Sequence, residues 1–314
     1  MDSIKTNFAA MTALQSLQAT NKELLKSQQR ISTGYRVSTA EDNAAYWSIS
    51  TTMRSDNKAL STVTDALGLG SATVDVTYTA LNSAIDVTSE IKAKLVAARE
   101  PGLDRGHIQD ELAELQSQLK SIANSALFSG QNWLAVDSSA AGYNATKSIV
   151  SSFSRASDGT IDIGTITFAV DDAKLFDASA SSDGILDALR DSTGARAAGG
   201  TFSVTSIDIS GLTDSPADLT KLEEYIKGVN VAIDDMTAAG SSLGSIKQRI
   251  GLQQTFVKAL MDAIDRGVAT LVDADMNEES TKLQALQVQQ QLGVQALSIT
   301  NSSTQNILSL FRNG

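Results

Sequence analysis

The residues that could do chemistry are few, and each set fails on spacing. The chain holds one histidine, His107. A Ser–His–Asp relay needs it beside a nucleophile elbow, and no G-x-S-x-G occurs. His107 reads instead as a solvated residue at a helix start. "DADMNEES", Asp273 to Ser280, opens like a calcium loop, with Asp273, Asp275 and Asn277 at alternate positions. Such a loop then requires glycine at the sixth place and a bidentate glutamate at the twelfth. Glu278 and Gln284 stand there, so the segment reads as a charged helix junction. Asp171-Asp172 and Asp234-Asp235 are adjacent pairs. Strand neighbours point to opposite faces and helix neighbours lie ~100° apart, so neither pair aims at one bond. Gly68-Leu69-Gly70 lies inside a helical register with no strand before it, unlike a dinucleotide loop. With no cysteine there is no thiolate, disulfide or zinc–thiolate chemistry. The expectation is no catalytic residue, no metal and no cofactor.

One cluster remains: "ISTGYRVSTAEDNAAYWSIS", Ile31 to Ser50. It sets Tyr35 beside Arg36, Glu41 beside Asp42, and Trp47 nearby. Taken by parts it is a joint. Gly34 follows an apolar stripe where a helix takes a left-handed cap. Ser38 and Glu41 have capping-box spacing for a following helix, with Asp42 in its first turn. Tyr46 and Ile49 then begin a long register.

That register carries the architecture. Apolar or small residues recur every three or four positions through Met53, Leu60, Val63, Leu67, Gly70, Val74, Thr77, Leu81, Ala84, Thr88, Ile91, Leu95 and Ala98. It predicts one coiled-coil-like helix of about 80 Å. Pro101-Gly102 ends it. A second helix, with Ile108, Leu112, Leu115, Leu119, Ile122 and Ala126, folds back on the first. "DGTIDIGTITFAV" and "GTFSVTSIDISGL" alternate like strands, with "GILDALRD" as a short helix between them. Pro216 opens another long helix through Leu219, Leu222, Ile226, Val229, Ile233 and Met236. After a slip near Gly240–Gly244 it resumes at Leu243, Ile246, Ile250, Val257, Leu260, Ile264 and Leu271. The fold class is mainly α: a long antiparallel helical coiled-coil rod with terminal helical arms and a small β-rich (α+β) inserted outer domain. The expected boundaries are 1–42 for the N-terminal arm, 43–136 and 218–272 for the rod, 137–217 for the insert and 273–314 for the C-terminal arm.

Composition agrees. Of 314 residues only two are proline, and aromatics make up 5%. Few prolines suit uninterrupted helices. The net charge of −11 argues against a nucleic-acid partner. No run approaches ~18 apolar residues, so membrane insertion is not expected. The N-terminus lacks a basic region followed by an apolar core, so a cleaved signal of the general secretory type is not expected. The arms are the physical difficulty. Their apolar faces are wider than a two-helix seam, which marks an interaction surface.

These residues carry a resemblance. "RISTGYRVSTAEDNAAYWSIS" resembles the N-terminal signature of bacterial flagellins, and "FSGQNWL" the close of their N-terminal region. "LGSIKQRI", "VDADMNEES" and "NILSLFR" are similar to their C-terminal region. The likeness covers roughly 1–136 and 225–314. It implies a structural subunit of the flagellar filament, exported unfolded through the flagellar type III apparatus and found outside the cell. It implies self-polymerisation, possible mixing with other flagellins, and contacts with the flagellar cap, junction proteins and an export chaperone around Leu283 to Phe311. By the resemblance the inner core is built on Phe8, Leu14, Leu17, Leu24, Ile31, Leu283, Leu286, Leu292, Leu297, Ile307, Leu308, Leu310 and Phe311. The arm–rod connector and subunit contact comprises Gly34, Tyr35, Arg36, Ser38, Glu41, Asp42 and Trp47. An innate-receptor face would use Leu95 and Glu111, but Ile91 stands where an arginine is expected, which argues against it. The alternatives are a hook–filament junction protein, or a coiled-coil sensor or adhesin with a ligand-binding β insert.

Overall fold

A computed structural model describes residues 7–312 of the chain, with side chains from 7 to 302. The order is α1 (Phe8–Thr33), α2 (Ala44–Ala97), α3 (Arg105–Ser125), six short strands, α4 (Pro216–Val272) and α5 (Met276–Arg312). The strands are β1 (Leu127–Phe128), β2 (Gln131–Asn132), β3 (Ala135–Val136), β4 (Thr146–Arg155), β5 (Ile161–Ala169) and β6 (Phe176–Asp177). The protein is mainly helical, with a small strand-containing insert. It packs as two compact units, one of residues 1–58 and 261–314, the other of 59–260.

The first unit pairs α1 with α5. Asn7 caps α1 through Ala10 N–H, and Gly34 ends it in the left-handed conformation at φ 75°. Asp275 begins α5 by accepting from Asn277 and Glu278 N–H. The carboxylate of the false calcium loop is thus a helix cap. In the same unit a small core forms from Val37 of the connector and Val268 and Val272 of α4, with Met53 of α2 and Ile264 and Leu271 of α4 against it.

In the second unit the long register holds. Leu60, Val63, Leu67, Val74, Thr77, Leu81, Ala84, Thr88, Ile91, Leu95 and Ala98 are all buried. Ile108, Leu112 and Leu119 of α3 are buried, as are Leu222, Val229, Met236, Leu243, Ile246, Ile250 and Val257 of α4. Lys247 meets Asp75, Leu81 lies over Gly240, and Lys92 reaches Asn230. Positions fall on α4 as they rise on α2, so the two run antiparallel. The slip near Gly240 leaves α4 unbroken. Arg105 closes one end, donating to Ala98 O, Leu212 O and Asp214.

Gly70 is the point where α2 meets the insert. A Cβ there would lie 2.5 Å from Cγ2 of Ile149 on β4. β4 and β5 form an antiparallel hairpin, with Ile149 opposite Ile166 and an irregularity between Val150 and Ser152. β1 and β2 turn through Ser129 and Gly130, both at positive φ, as a two-residue hairpin loop demands. Asn132 then donates to Ala123 O and accepts from Leu134 and Ala135 N–H, tying the end of α3 to the hairpin.

Three local expectations are corrected. "GTFSVTSIDISGL" is not a strand. Val204–Ser206 is a 3-10 turn closed by a Ser203–Ser206 capping box. Gln116 donates to Val204 O and Ile207 O, and Gln109 accepts from Ile209 N–H. Side chains of α3 thus satisfy backbone groups that a strand would pair. "GILDALRD" is a single turn, because Arg190 exchanges backbone bonds with Phe202 and Thr201 instead of continuing a helix. β4, which the alternation did not reveal, is half the hairpin.

Candidate assembly surfaces

The seam between α1 and α5 starts from a 3–4 stripe on each helix. Leu17, Leu24 and Ile31 on α1, and Leu283, Leu286 and Leu297 on α5, are buried or half-buried. Leu17 packs directly over Gly293. Polar pairs interrupt the apolar ones. Asn7 donates to Thr300 O at 3.4 Å, and Gln290 to Asn21 Oδ1 at 2.7 Å. Ser27 Oγ donates to Glu279 Oε2 at 2.8 Å and Arg30 Nη1 to its Oε1 at 2.8 Å. These pairings run antiparallel, and a buried polar pair at one level fixes the register of an otherwise sliding seam. Burial raises the Glu279 carboxyl, but the bonds from Arg30 and Ser27 outweigh it and hold the group below its ordinary value. Asn21 is a polar residue within the apolar 3–4 stripe of α1. It is a seam partner, and nothing short of the register could have paired it with Gln290.

Three of the named inner-core residues lie outside the seam. Phe8, Leu14 and Leu292 are exposed, with Met11, Leu25, Val288, Val294 and Ile299. Each arm therefore presents large apolar side chains that its partner arm does not cover. The side chains of Ile307, Leu308, Leu310 and Phe311 lie outside the described residues.

The connector is held by backbone. Arg36 and Val37 N–H donate to Val272 O, Ala274 N–H donates to Gly34 O, and Tyr35 bridges Asp273. Arg36 also donates to Leu271 O. The Arg54 guanidinium lies 4.6 Å over the Tyr35 ring. Here the expected capping box is corrected. The helix begins at Ala44, and Asn43 Oδ1 accepts from Ala45 and Tyr46 N–H. Glu41 is exposed and takes no part as a cap. Asp42 precedes the helix and gathers Ser38 and Thr39, both N–H and hydroxyl. Burial opposes its ionisation, yet those donors keep its pKa lowered. Tyr46 and Ile49 are exposed rather than being the first rungs of the buried seam, and Trp47 is exposed beside them.

The receptor-face residues do not form a face. Ile91 and Leu95 are fully buried among the helices of their unit. Only Glu111 reaches the surface, paired with Lys94 at 2.5 Å. A face needs exposed side chains, so this burial points the same way as the missing arginine at Ile91.

The other charged residues singled out in the sequence have ionic neighbours nearby. His107 is exposed beside Asp104. Asp171 meets Lys174, which also binds Asp177. Asp235 faces Arg190 and Arg196. Among the described residues no helix is long and apolar enough to cross a membrane.

Residues 4–139 match the family model described as the bacterial flagellin N-terminal helical region, and 226–311 the bacterial flagellin C-terminal helical region. Flagellin C of Rhizobium meliloti (strain 1021) is 52% identical over 330 residues, covering 99% of this chain and 100% of that one. Flagellin A of the same strain is 42% identical over 397 residues, with the same coverage. A flagellin of Brucella melitensis biotype 1 is 42% identical over 313 residues, again with that coverage.

Proposed function

The chain belongs to the bacterial flagellin family, and on that premise we propose that its uncovered apolar faces are where one copy adds to the next. As a flagellin it is a structural subunit that polymerises into the extracellular flagellar filament for swimming, and it is not an enzyme. The junction protein and the ligand-binding sensor are not favoured by matches that run the length of the chain.

The observation that carries the surface reading is the exposure of Phe8, Leu14 and Leu292 beside a seam that already buries Leu24 and Leu286. Apolar area of this kind, left over after the arms have paired, is removed from water when further copies pack around it. The two arms, 1–42 and 273–314, form the inner core in this reading. Residues 43–136 and 218–272 form the rod, and 137–217 face outward. The connector from Gly34 to Trp47 serves as a subunit contact, with exposed Tyr46 and Trp47 as its apolar part. Before assembly an export chaperone covers α5 from Leu283 onward, and a cap protein orders the arms as each copy is added at the tip. Junction proteins meet the same arm surfaces at the filament base.

Electron microscopy of purified protein after seeding tests this. Long filaments are the expected result, and a chain lacking residues 283–314 stays monomeric. Filaments from that truncated chain overturn the assignment of the arm as the polymerising element.

A further inference from the structure

We propose that Met11 is a reversible oxidation site whose sulfoxide blocks addition of the chain to a second copy. The proposal rests on the subunit reading, in which the apolar faces of the arms are covered on assembly. Met11 is 59% exposed on α1, with Phe8 one turn before it and Leu14 one turn after. Both of those are exposed, so the thioether stands in the middle of an apolar ridge that α5 leaves uncovered. Asn7–Thr300 and Leu17–Gly293 fix the levels on either side of it in the arm pair. Ile299 lies between the same two levels on α5 and is 68% exposed. Both helices therefore expose apolar side chains along this stretch.

The other described methionines are placed differently. Met236 is fully buried, and Met53 packs against the core of Val37, Val268 and Val272. Met261 is half-buried on α4. Met276 is 43% exposed at the first residue of α5, with Glu278 and Glu279 in the same turn. Oxygen transfer needs open access to sulfur, which singles out Met11 and Met276. Of these two, Met11 alone belongs to the exposed ridge of α1.

A hydroperoxide supplies the oxygen. A sulfur lone pair attacks one peroxide oxygen, the O–O bond breaks and the sulfur–oxygen bond forms. The thioether loses two electrons, and the hydroperoxide is reduced to water or an alcohol. The product carries a polar acceptor, and neither Phe8 nor Leu14 has a side-chain donor to meet it. Burying it against another copy leaves that acceptor unpaired. The modification therefore acts on free chains and spares assembled ones, whose ridge is covered. A methionine sulfoxide reductase restores the thioether.

The test treats monomer with hydrogen peroxide, measures Met11 sulfoxide by peptide mass spectrometry, and then pellets polymer. Treatment is expected to raise the critical concentration of the parent chain about tenfold, the effect of one unpaired polar group in the contact. The same ratio of treated to untreated is expected for Met276→Leu, and no rise for Met11→Leu. Methionine sulfoxide reductases are expected to restore assembly of the treated parent chain. Parent filaments treated before depolymerisation are expected to carry about tenfold less Met11 sulfoxide than treated monomer. Complete Met11 sulfoxide with an unchanged critical concentration overturns the proposal. So does a Met11→Leu chain inhibited as strongly as the parent, a Met276→Leu chain made insensitive, or Met11 oxidised as fast in filaments as in monomer. Failure of the untreated parent chain to polymerise overturns the subunit reading itself, so the two failures are distinct.

Discussion

Glu279 accepts the Ser27 hydroxyl at 2.8 Å across 252 residues of sequence, and Arg30 holds its other oxygen. One carboxylate thus fastens the root of α5 to the last turns of α1. Its folded pKa is lowered from the ordinary 4.5, so its contribution is complete above that value. As pH falls below 4.5 through the lowered folded value, that contribution disappears. Glu279→Ala leaves Arg30 and Ser27 without their partner and is expected to cost about 1–3 kcal/mol. Glu279→Gln is expected to flatten the acid limb of an unfolding titration followed by circular dichroism. An acid limb unchanged from the parent chain would remove this carboxylate from the account.

Gly68 and Gly70 stand two residues apart in α2 and answer differently to the same change. Nothing lies within 4 Å of a Cβ at Gly68, while one at Gly70 would strike Ile149. Gly68→Ala is expected to stabilise by about 0.5–1 kcal/mol, the ordinary helix gain over glycine. Gly70→Ala has the same gain set against an overpacking cost of about 1–3 kcal/mol, so it destabilises. The double change Gly70→Ala with Ile149→Ala is expected to relieve the clash at the cost of Ile149's own packing. Denaturant midpoints of the variants decide it, and equal shifts for the two single changes would contradict the close approach.

The helices were legible because their signal is local. An apolar residue every third or fourth position defines a buried face whatever lies opposite, and the stripe from Leu60 to Ala98 is buried as read. Gly34 as a helix stop is likewise a property of one residue. The start of α2 was misread because Ser38 and Glu41 have capping spacing, but Asn43 lies nearer the first turn and takes the donors. The insert was the least legible. Its segments depend on side chains far away, as where Gln109 and Gln116 of α3 occupy the backbone of 204–209. The same holds for Asn21 and Gln290, whose pairing exists only once two helices separated by most of the chain share a register.

Arg190 is fully buried, and no local pattern announces it. Its guanidinium donates to Gly194 O and Ile185 O and faces Asp235 of α4 at 3.6 Å. Gly228 leaves room for Phe202 beside it, and Phe202 meets Tyr225 edge-on. Removing the side chain strands two carbonyls and opens a cavity. Arg190→Ala is expected to cost about 3–5 kcal/mol. Arg190→Lys recovers little of it, because an ammonium cannot span the same fork. Asp235 is more exposed, so Asp235→Ala is expected to cost less than Arg190→Ala. Unfolding by denaturant checks the order, and a lysine variant as stable as the parent would contradict the fork.

The arms separate two roles that an assembly defect would otherwise confuse. Leu297 lies on the stripe of Leu283, Leu286, Gln290 and Gly293 that faces α1, whereas Leu292 is exposed on the other side of α5. A carboxylate at 297 enters the seam without a partner and loosens the arm pair itself. A carboxylate at 292 meets only water in the single chain and becomes costly when another copy packs there. Leu292→Asp is therefore expected to raise the critical concentration for polymerisation about tenfold or more while the helix content of the monomer stays unchanged. Leu297→Asp is expected to lower both helix content and assembly. Asp171→Ala breaks contacts to Lys174 and Tyr143 within the insert and is expected to leave assembly near normal. Sedimentation of polymer against circular dichroism of monomer distinguishes the three. Leu292→Asp chains that assemble at the parent concentration would show that the outer face of α5 is not the surface on which copies meet.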